Sequence, residues 1–193
     1  MESKGIFTKK SVTNGVYIYT ENKQFISPKF WGIHEEQEKA VCTVIIKDGQ
    51  ALAVAPEDIK DEYVQLLDCN KNQTGKKYDS IEKALTDVDG LENTKALADS
   101  GCEVAKEVLA LNMLGNSWHI PTLGELQMMY EHKSMLTAAL AISEKKPLSD
   151  KWYWSSTRRG DKTNFVFYWD NGNRLNDIQN YYNRVRPVSA FSL

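Results

Sequence analysis

The clearest structural signal in the chain lies at residues 164–174, which read Asn164-Phe165-Val166-Phe167-Tyr168-Trp169-Asp170-Asn171-Gly172-Asn173-Arg174. Phe165, Phe167 and Trp169 alternate with mostly polar residues, which is typical of a β-strand with one apolar and one polar face. Asn171-Gly172 follows, and both residue types tolerate the positive φ that a two-residue type I′ turn requires. The pattern predicts an antiparallel hairpin whose return strand begins near Asn173.

Working outward, Trp152–Thr157 precedes this hairpin, and Val185 and Val188 alternate with arginines in a predicted last strand. Earlier in the chain, residues 40–46 are typical of a buried strand. Asp48-Gly49 predicts a hairpin turn, and residues 51–55 would form the partner strand. The polar segment 57–77 is expected to be a loop or short helices.

Two helical regions separate these strands. Residues 94–112 carry an apolar face at helical spacing, although Gly101 weakens its middle. Thr122 and Glu125 form a predicted capping box that starts a second helix reaching His132. Ser134 is expected to cap a further short helix. Helices followed by an antiparallel β-meander indicate an α+β domain at residues 39–193, preceded by a β-rich attachment or oligomerisation segment at residues 1–38.

Composition excludes several classes of function. A net charge of −2 provides no basic field for nucleic acid, and no segment is apolar enough for membrane insertion. The start of the chain lacks the apolar core of a secretory signal, so synthesis in the cytoplasm is expected. The three cysteines lack paired spacing, and the three histidines lack ligand spacing, so neither a disulfide framework nor a metal is expected.

The sequence also lacks the common catalytic patterns. It contains no phosphate-binding glycine loop with its lysine, no dinucleotide fingerprint and no Gly-x-Ser-x-Gly elbow. Ser155 and Ser156 have no general base nearby in sequence. The sequence therefore predicts a protein that is not an enzyme and uses no cofactor.

The C-terminal region has instead the composition of a recognition surface. Six of the thirteen asparagines fall within residues 164–183, among Tyr, Asp and Arg, and these residue types combine flat contact area with adaptable hydrogen bonding. A simpler explanation is that Asn and Gly favour turns. The residues expected to contact a ligand are Arg158, Arg159, Asp161, Asn164, Tyr168, Asp170, Asn173, Arg174, Asn176, Asp177, Asn180, Tyr181 and Tyr182.

Four ordered blocks carry a family resemblance: Asp89–Thr94, Trp118–Thr122 with Glu125-Leu126, Tyr153–Thr157, and Val185–Val188. With them the chain resembles bacterial C-type-lectin-fold domains of the formylglycine-generating-enzyme type. Within that group it most resembles the variable proteins of diversity-generating retroelements, whose relatives include a phage major tropism determinant. The resemblance covers residues 85–193 well and residues 40–56 loosely.

The resemblance implies a C-type lectin-like fold in which Trp118, Pro121, Trp154 and residues 185–188 are scaffold. It implies that residues 157–183 display a ligand-binding surface, which retroelement mutagenesis of Asn-type codons would diversify. The partner would be a protein or glycan receptor on a cell surface, bound from a virion tail or a bacterial surface, and a homo-oligomer would raise avidity. Two alternatives stay open: an enzyme of this fold, and an intracellular phage assembly domain. The cysteines used by formylglycine-forming members are missing, because none follows Cys102.

Overall fold

The computed structural model describes residues 5–33 and 39–193. In these ranges the chain forms two antiparallel sheets, and the helices α1 to α5 lie between β5 and β6 along the sequence, an arrangement compatible with the predicted α+β class. The strands are β1 (Ile6–Phe7), β2 (Gly15–Thr20), β3 (Phe25–Ile26), β4 (Ala40–Lys47), β5 (Gln50–Val54), β6 (Trp152–Arg158), β7 (Thr163–Tyr168), β8 (Arg174–Ile178) and β9 (Val188–Ser192). The helices are α1 (Ile81–Ala84), α2 (Gly90–Asp99), α3 (Glu103–Leu109), α4 (Leu123–Glu131) and α5 (Lys133–Ile142), and Pro28–Phe30 form a 3-10 turn.

The larger sheet has the strand order β1-β3-β2-β4-β5-β9. Strand β2 pairs with β4 along its whole length, so the described N-terminal strands share the sheet of the main domain. A role for segment 1–38 in attachment or oligomerisation stays a prediction, and its residues 34–38, including His34, lie outside the described residues. The predicted β4–β5 hairpin is confirmed: Asp48 and Gly49 have φ of 51° and 80° between the paired Lys47 and Gln50.

The helical prediction for residues 94–112 was wrong in the middle. Helix α2 begins earlier, at Gly90, and a separate α3 follows because Gly101 adopts a left-handed φ of 92°. The amides of Gly101 and Cys102 donate to the carbonyls of Ala98 and Leu97, which is the Schellman arrangement that ends a helix. The glycine therefore terminates one helix rather than merely weakening it.

The capping box at the start of α4 is confirmed. Thr122 Oγ1 accepts from the Glu125 amide, and the Glu125 carboxylate accepts from the Thr122 amide at 2.7 Å. The predicted cap at Ser134 was wrong, because α5 begins at Lys133 directly after His132. The two helices therefore follow each other with a single residue between them.

The smaller sheet has the order β6-β7-β8, as the meander pattern predicts. The type I′ turn was wrong: only Gly172 has a positive φ in this loop, and its amide donates to the Tyr168 carbonyl at 2.9 Å. Trp169 follows the end of β7 with its side chain fully buried, and its amide donates to the Lys151 carbonyl beside the start of β6. The connection is thus a four-residue loop with glycine in its left-handed position.

The C-terminus returns to the larger sheet. Strand β9 pairs with β5 from Val54↔Val188 to Gln50↔Ser192, so the last strand lies beyond the predicted residues 185–188 and outside the meander. Val185 and Arg186 are instead buried in the connection between the two sheets. Because β9 pairs with β5, the chain on both sides of the meander belongs to the larger sheet. The meander is the expected location of the binding surface.

Candidate functional site

The central strand of the meander, β7, is buried on both faces. Phe165 and Phe167 pack in an apolar cluster with α4 and α5, as expected for the inward face. Val166, predicted to face outward, packs in the other cluster with Trp154 and Leu66. The predicted polar outer face is wrong here because segment 57–77 lies over it, and alternation along one strand cannot reveal a cover from a distant segment.

Two of the proposed contact residues belong to this buried layer. Asn164 has no exposed surface; its Oδ1 accepts from Gln73 Nε2, and its Nδ2 donates to the Ser155 carbonyl at 3.3 Å. Arg158 is also buried, and its guanidinium donates to the Gly75 carbonyl at 2.8 Å and to Asp161. Both side chains fasten segment 57–77 to the meander, so the prediction that they contact a ligand is corrected.

Replacing Asn164 by alanine should lower the free energy of unfolding by about 1–3 kcal/mol, because buried partners would lose their hydrogen bonds. Asn173 provides a matched control: it is exposed and lies in the neighbouring β7–β8 connection. Asn173→Ala should change stability by less than about 0.5 kcal/mol. Urea denaturation of both variants tests this, and equal stabilities would contradict the scaffold role of Asn164.

Four of the exposed members of the predicted set lie at the two ends of strand β7. Asp170 and Asn173 lie in the β7–β8 loop, whereas Arg159 and Asp161 lie in the β6–β7 turn at the opposite end of β7. Six extended residues between them span roughly 20 Å. These residues therefore do not form the single patch that their proximity in sequence suggests.

Several half-buried members are engaged within the protein. The ring of Tyr168 stacks on Trp152 with centroids 4.9 Å apart. The guanidinium of Arg174 bonds Gln127 and lies 5.5 Å from the centroid of Phe167. Asp177 Oδ2 accepts from Asn183 Nδ2 at 3.1 Å. The contacts of Arg174 and Asp177 hold the edge strand β8 in place, while Asn176 on the same strand is exposed and Asn180 after it is half-buried.

The remaining predicted residues, Tyr181 and Tyr182, are 54% and 63% exposed. Tyr182 lines a groove of about 340 Å³ together with Tyr63, a residue that the sequence analysis missed. The antiparallel bridge Val64↔Asn183, with hydrogen bonds of 2.8 and 3.1 Å, brings their two segments together. We call this feature the tyrosine groove; it is also lined by residues 64–68 and by the start of α3.

Charged side chains of both signs surround the tyrosine groove. Lys60 and Lys71 lie at its edge with Glu62 and Glu103. Lys60 forms an exposed ion pair with Glu107 at 2.8 Å, and this contact raises the pKa of the lysine. Aromatic walls with a mixed polar rim are typical of recognition surfaces. Tyr63 gave no sequence signal because it stands alone in a polar segment that only the fold brings beside Tyr182.

Outside the groove, Cys42, Cys102 and His119 are buried, whereas Cys69 is an exposed cysteine. Burial raises the pKa of Cys42 to about 12 and of Cys102 to about 11, so both remain protonated thiols. His119 Nε2 bonds the Glu125 carboxylate at 2.9 Å, next to the cap of α4. In the described ranges, no three His, Cys, Asp or Glu side chains group closely enough to hold a metal ion. In the same ranges, no helix has the length and apolarity to cross a membrane.

Comparison with known proteins found a solved structure of similar fold. No family model matches the chain, and no curated protein matches it. The chain is similar to the crystal structure of a fimbrial protein from Bacteroides ovatus ATCC 8483, with a TM-score of 0.58 and 13% identity. The match covers 94% of this chain and 49% of the fimbrial protein, so the chain spans about half of its length. At this identity the likeness establishes a shared fold.

Proposed function

We propose that this chain is a non-enzymatic recognition protein that binds a protein or glycan receptor on a cell surface through the tyrosine groove and the adjoining edge strand β8. The observation that carries the proposal is the concentration of exposed apolar side chains at the end of the meander. Of the nine large hydrophobic residues exposed in the described ranges, four lie within eight residues: Leu175, Ile178, Tyr181 and Tyr182. Exposed apolar clusters edged by polar groups are typical of interaction sites.

Tyrosine side chains keep the entropic cost of binding low. A tyrosine has few rotatable bonds, so it buries a large area with little loss of conformational entropy, and its hydroxyl adapts to a polar partner. The groove also presents both signs of charge, which suits a partner with a mixed polar surface. The similarity in fold to a fimbrial protein supports a location on a bacterial surface. A virion tail is the alternative location that we propose.

The finer proposal is that the fold is C-type lectin-like and that residues 157–183 are diversified by a retroelement. A reverse transcriptase gene beside the coding sequence, with an imperfect repeat of the codons for residues 157–188, would test it. Diversified codons should include those of the exposed Asp170, Asn173 and Asn176. Codons of the buried Arg158 and Asn164 should be constant, since their side chains fasten the scaffold. A neighbourhood without the gene and the repeat would contradict diversification and leave the binding proposal standing.

Replacing Tyr181 and Tyr182 together by alanine should weaken receptor binding by about 2 kcal/mol or more, roughly thirtyfold, because anchors of this kind dominate affinity. Binding of fluorescently labelled protein to a panel of bacterial strains, measured by flow cytometry, provides the readout. Met135→Ala with Ile142→Ala is the matched control, since both side chains are exposed and apolar but lie on α5. Unchanged binding of the tyrosine variant, or equal loss in both variants, would overturn the proposal.

A further inference from the structure

A second pocket lies at the opposite edge of segment 57–77, where residues 76–79 meet the end of β6. The amide of Tyr78 donates to the Arg158 carbonyl at 3.0 Å, and Lys77 forms a parallel bridge with Arg158. This attachment sets the lysine-rich segment beside Arg159 and helix α1. The resulting pocket has a volume of about 470 Å³.

The lining of this pocket is strongly cationic. Its lining contains one acidic side chain, Asp79, and four basic side chains: Lys76, Lys77, Lys83 and Arg159. The chain as a whole has no such excess, because its net charge is −2. The pocket is therefore a local positive site on a slightly acidic molecule.

Two of the four cations are already neutralised by neighbours. Lys83 pairs with Asp79 at 2.9 Å, and Lys77 pairs with Asp161. These pairs lower the pKa of both carboxyls, so both remain ionised at neutral pH. Each lysine thus faces a carboxylate, although Asp161 also accepts from Arg158.

The other two cations carry the excess. Within the part of the chain that the structure describes, no carboxylate lies within ion-pair distance of Lys76 or Arg159. The Lys76 ammonium lies 4.8 Å from the ring centroid of Tyr78, and the Arg159 guanidinium makes one long bond of 3.5 Å to the Tyr78 carbonyl. Contact with Tyr78 raises the pKa of Lys76, with smaller contributions from Asp89 and Asp87 that offset part of its charge. Arg159 is thus the cation with the most unused donors.

We propose that this pocket binds a tetrahedral oxyanion, as inorganic sulfate or phosphate or as the corresponding ester on a larger molecule. A guanidinium offers parallel N–H donors that match two oxygens of one oxyanion, and the nearby ammonium adds a charge-assisted bond. Both polar hydroxyls of the lining are less suited to donate: Thr86 Oγ1 already donates to the Lys83 carbonyl at 2.8 Å, and Tyr78 is buried. The site therefore selects for negative charge, and it stands independently of the tyrosine groove.

Backbone amide shifts of the ¹⁵N-labelled full chain test the proposal. The titrants are sodium sulfate, sodium phosphate, glucose 6-sulfate and glucose 6-phosphate, with glucose as the neutral reference, at an ionic strength held constant with sodium chloride. Saturating shifts confined to residues 76–86 and 158–160 are expected for the anions and absent for glucose. Tighter binding of an ester than of its inorganic ion would identify the larger molecule as the source, and the sulfate and phosphate arms separate the two chemistries.

Arg159→Gln should weaken anion binding about tenfold or more, because a charge-assisted bidentate contact is lost. Lys151→Gln removes the same charge from an exposed position outside the pocket and should change the affinity less than twofold. The amide spectrum of each variant shows independently that it is folded. Shifts that do not saturate, shifts spread over the whole surface, or equal weakening in both variants would overturn the site.

Discussion

Replacing Asp58 by alanine is expected to lower the free energy of unfolding by about 3–5 kcal/mol, because it leaves buried positive charge without a partner. Asp58 Oδ1 accepts from Arg186 Nε at 2.7 Å, and its Oδ2 accepts from Arg184 at 3.0 Å. Arg186 is 1% exposed, so water cannot replace the lost carboxylate. The Tyr153 hydroxyl also donates to Asp58, and burial raises the pKa of that phenol, which keeps the proton on the donor.

Thermal and urea denaturation measure this loss, with Asp61→Ala as the control. Asp61 is a nearby carboxylate that pairs with Lys146 at the surface, where water screens the interaction. Its removal should leave the midpoint nearly unchanged. If both variants unfold at the wild-type midpoint, the buried ion pairs of Asp58 do not contribute the expected stability.

Replacing Trp154 by alanine should cost about 3–5 kcal/mol, since a large buried side chain leaves a cavity that its neighbours fill only in part. The indole is fully buried, and its Nε1 donates to the Val64 carbonyl at 2.8 Å. Val64 adjoins Tyr63, so the substitution should also loosen one wall of the tyrosine groove. Limited proteolysis would report this as faster cleavage within residues 57–77.

Trp152→Ala is the matched control for that experiment. It removes the same side-chain type two positions earlier on β6, but Trp152 is only half-buried and stacks on Tyr168 at the surface. A smaller loss of stability and unchanged cleavage of segment 57–77 are expected. Equal destabilisation by the two substitutions would show that Trp154 has no particular role in holding the segment.

The parts of the fold that follow from neighbouring residues could be predicted from the sequence. The Asp48-Gly49 turn and the Thr122/Glu125 capping box depend on backbone preferences and bonds within four residues, and both are confirmed. The hairpin at Asn171-Gly172 was predicted, but its turn type was not. The buried Trp169 lies at the start of the loop, which closes over four residues between Tyr168 and Asn173 instead of two. The Asn-Gly pair thus predicts a turn at this place but does not determine how many residues the loop contains.

The sequence predicted the types of residue at the candidate site, but it did not predict which of them are exposed. Tyr181 and Tyr182 are exposed as proposed, whereas Arg158 and Asn164 are buried under a segment almost one hundred residues earlier in the chain. The signals in the sequence were the same for both pairs, namely polar or aromatic residues near predicted turns. Only the cover provided by residues 57–77 distinguishes them.

By itself, the sequence determined that this protein is an α+β domain with a C-terminal β-meander rich in recognition-type residues, because strand periodicity, turn residues and helix caps act over a few positions. The tertiary structure decided which of those residues reach solvent. In the folded chain, the Val64–Asn183 bridge places Tyr63 and Tyr182 in one groove, and Lys76 and Arg159 line one pocket. The physical reason is that the solvent exposure of a residue and the charges around it depend on segments that are distant in sequence. These segments come into contact only in the folded protein.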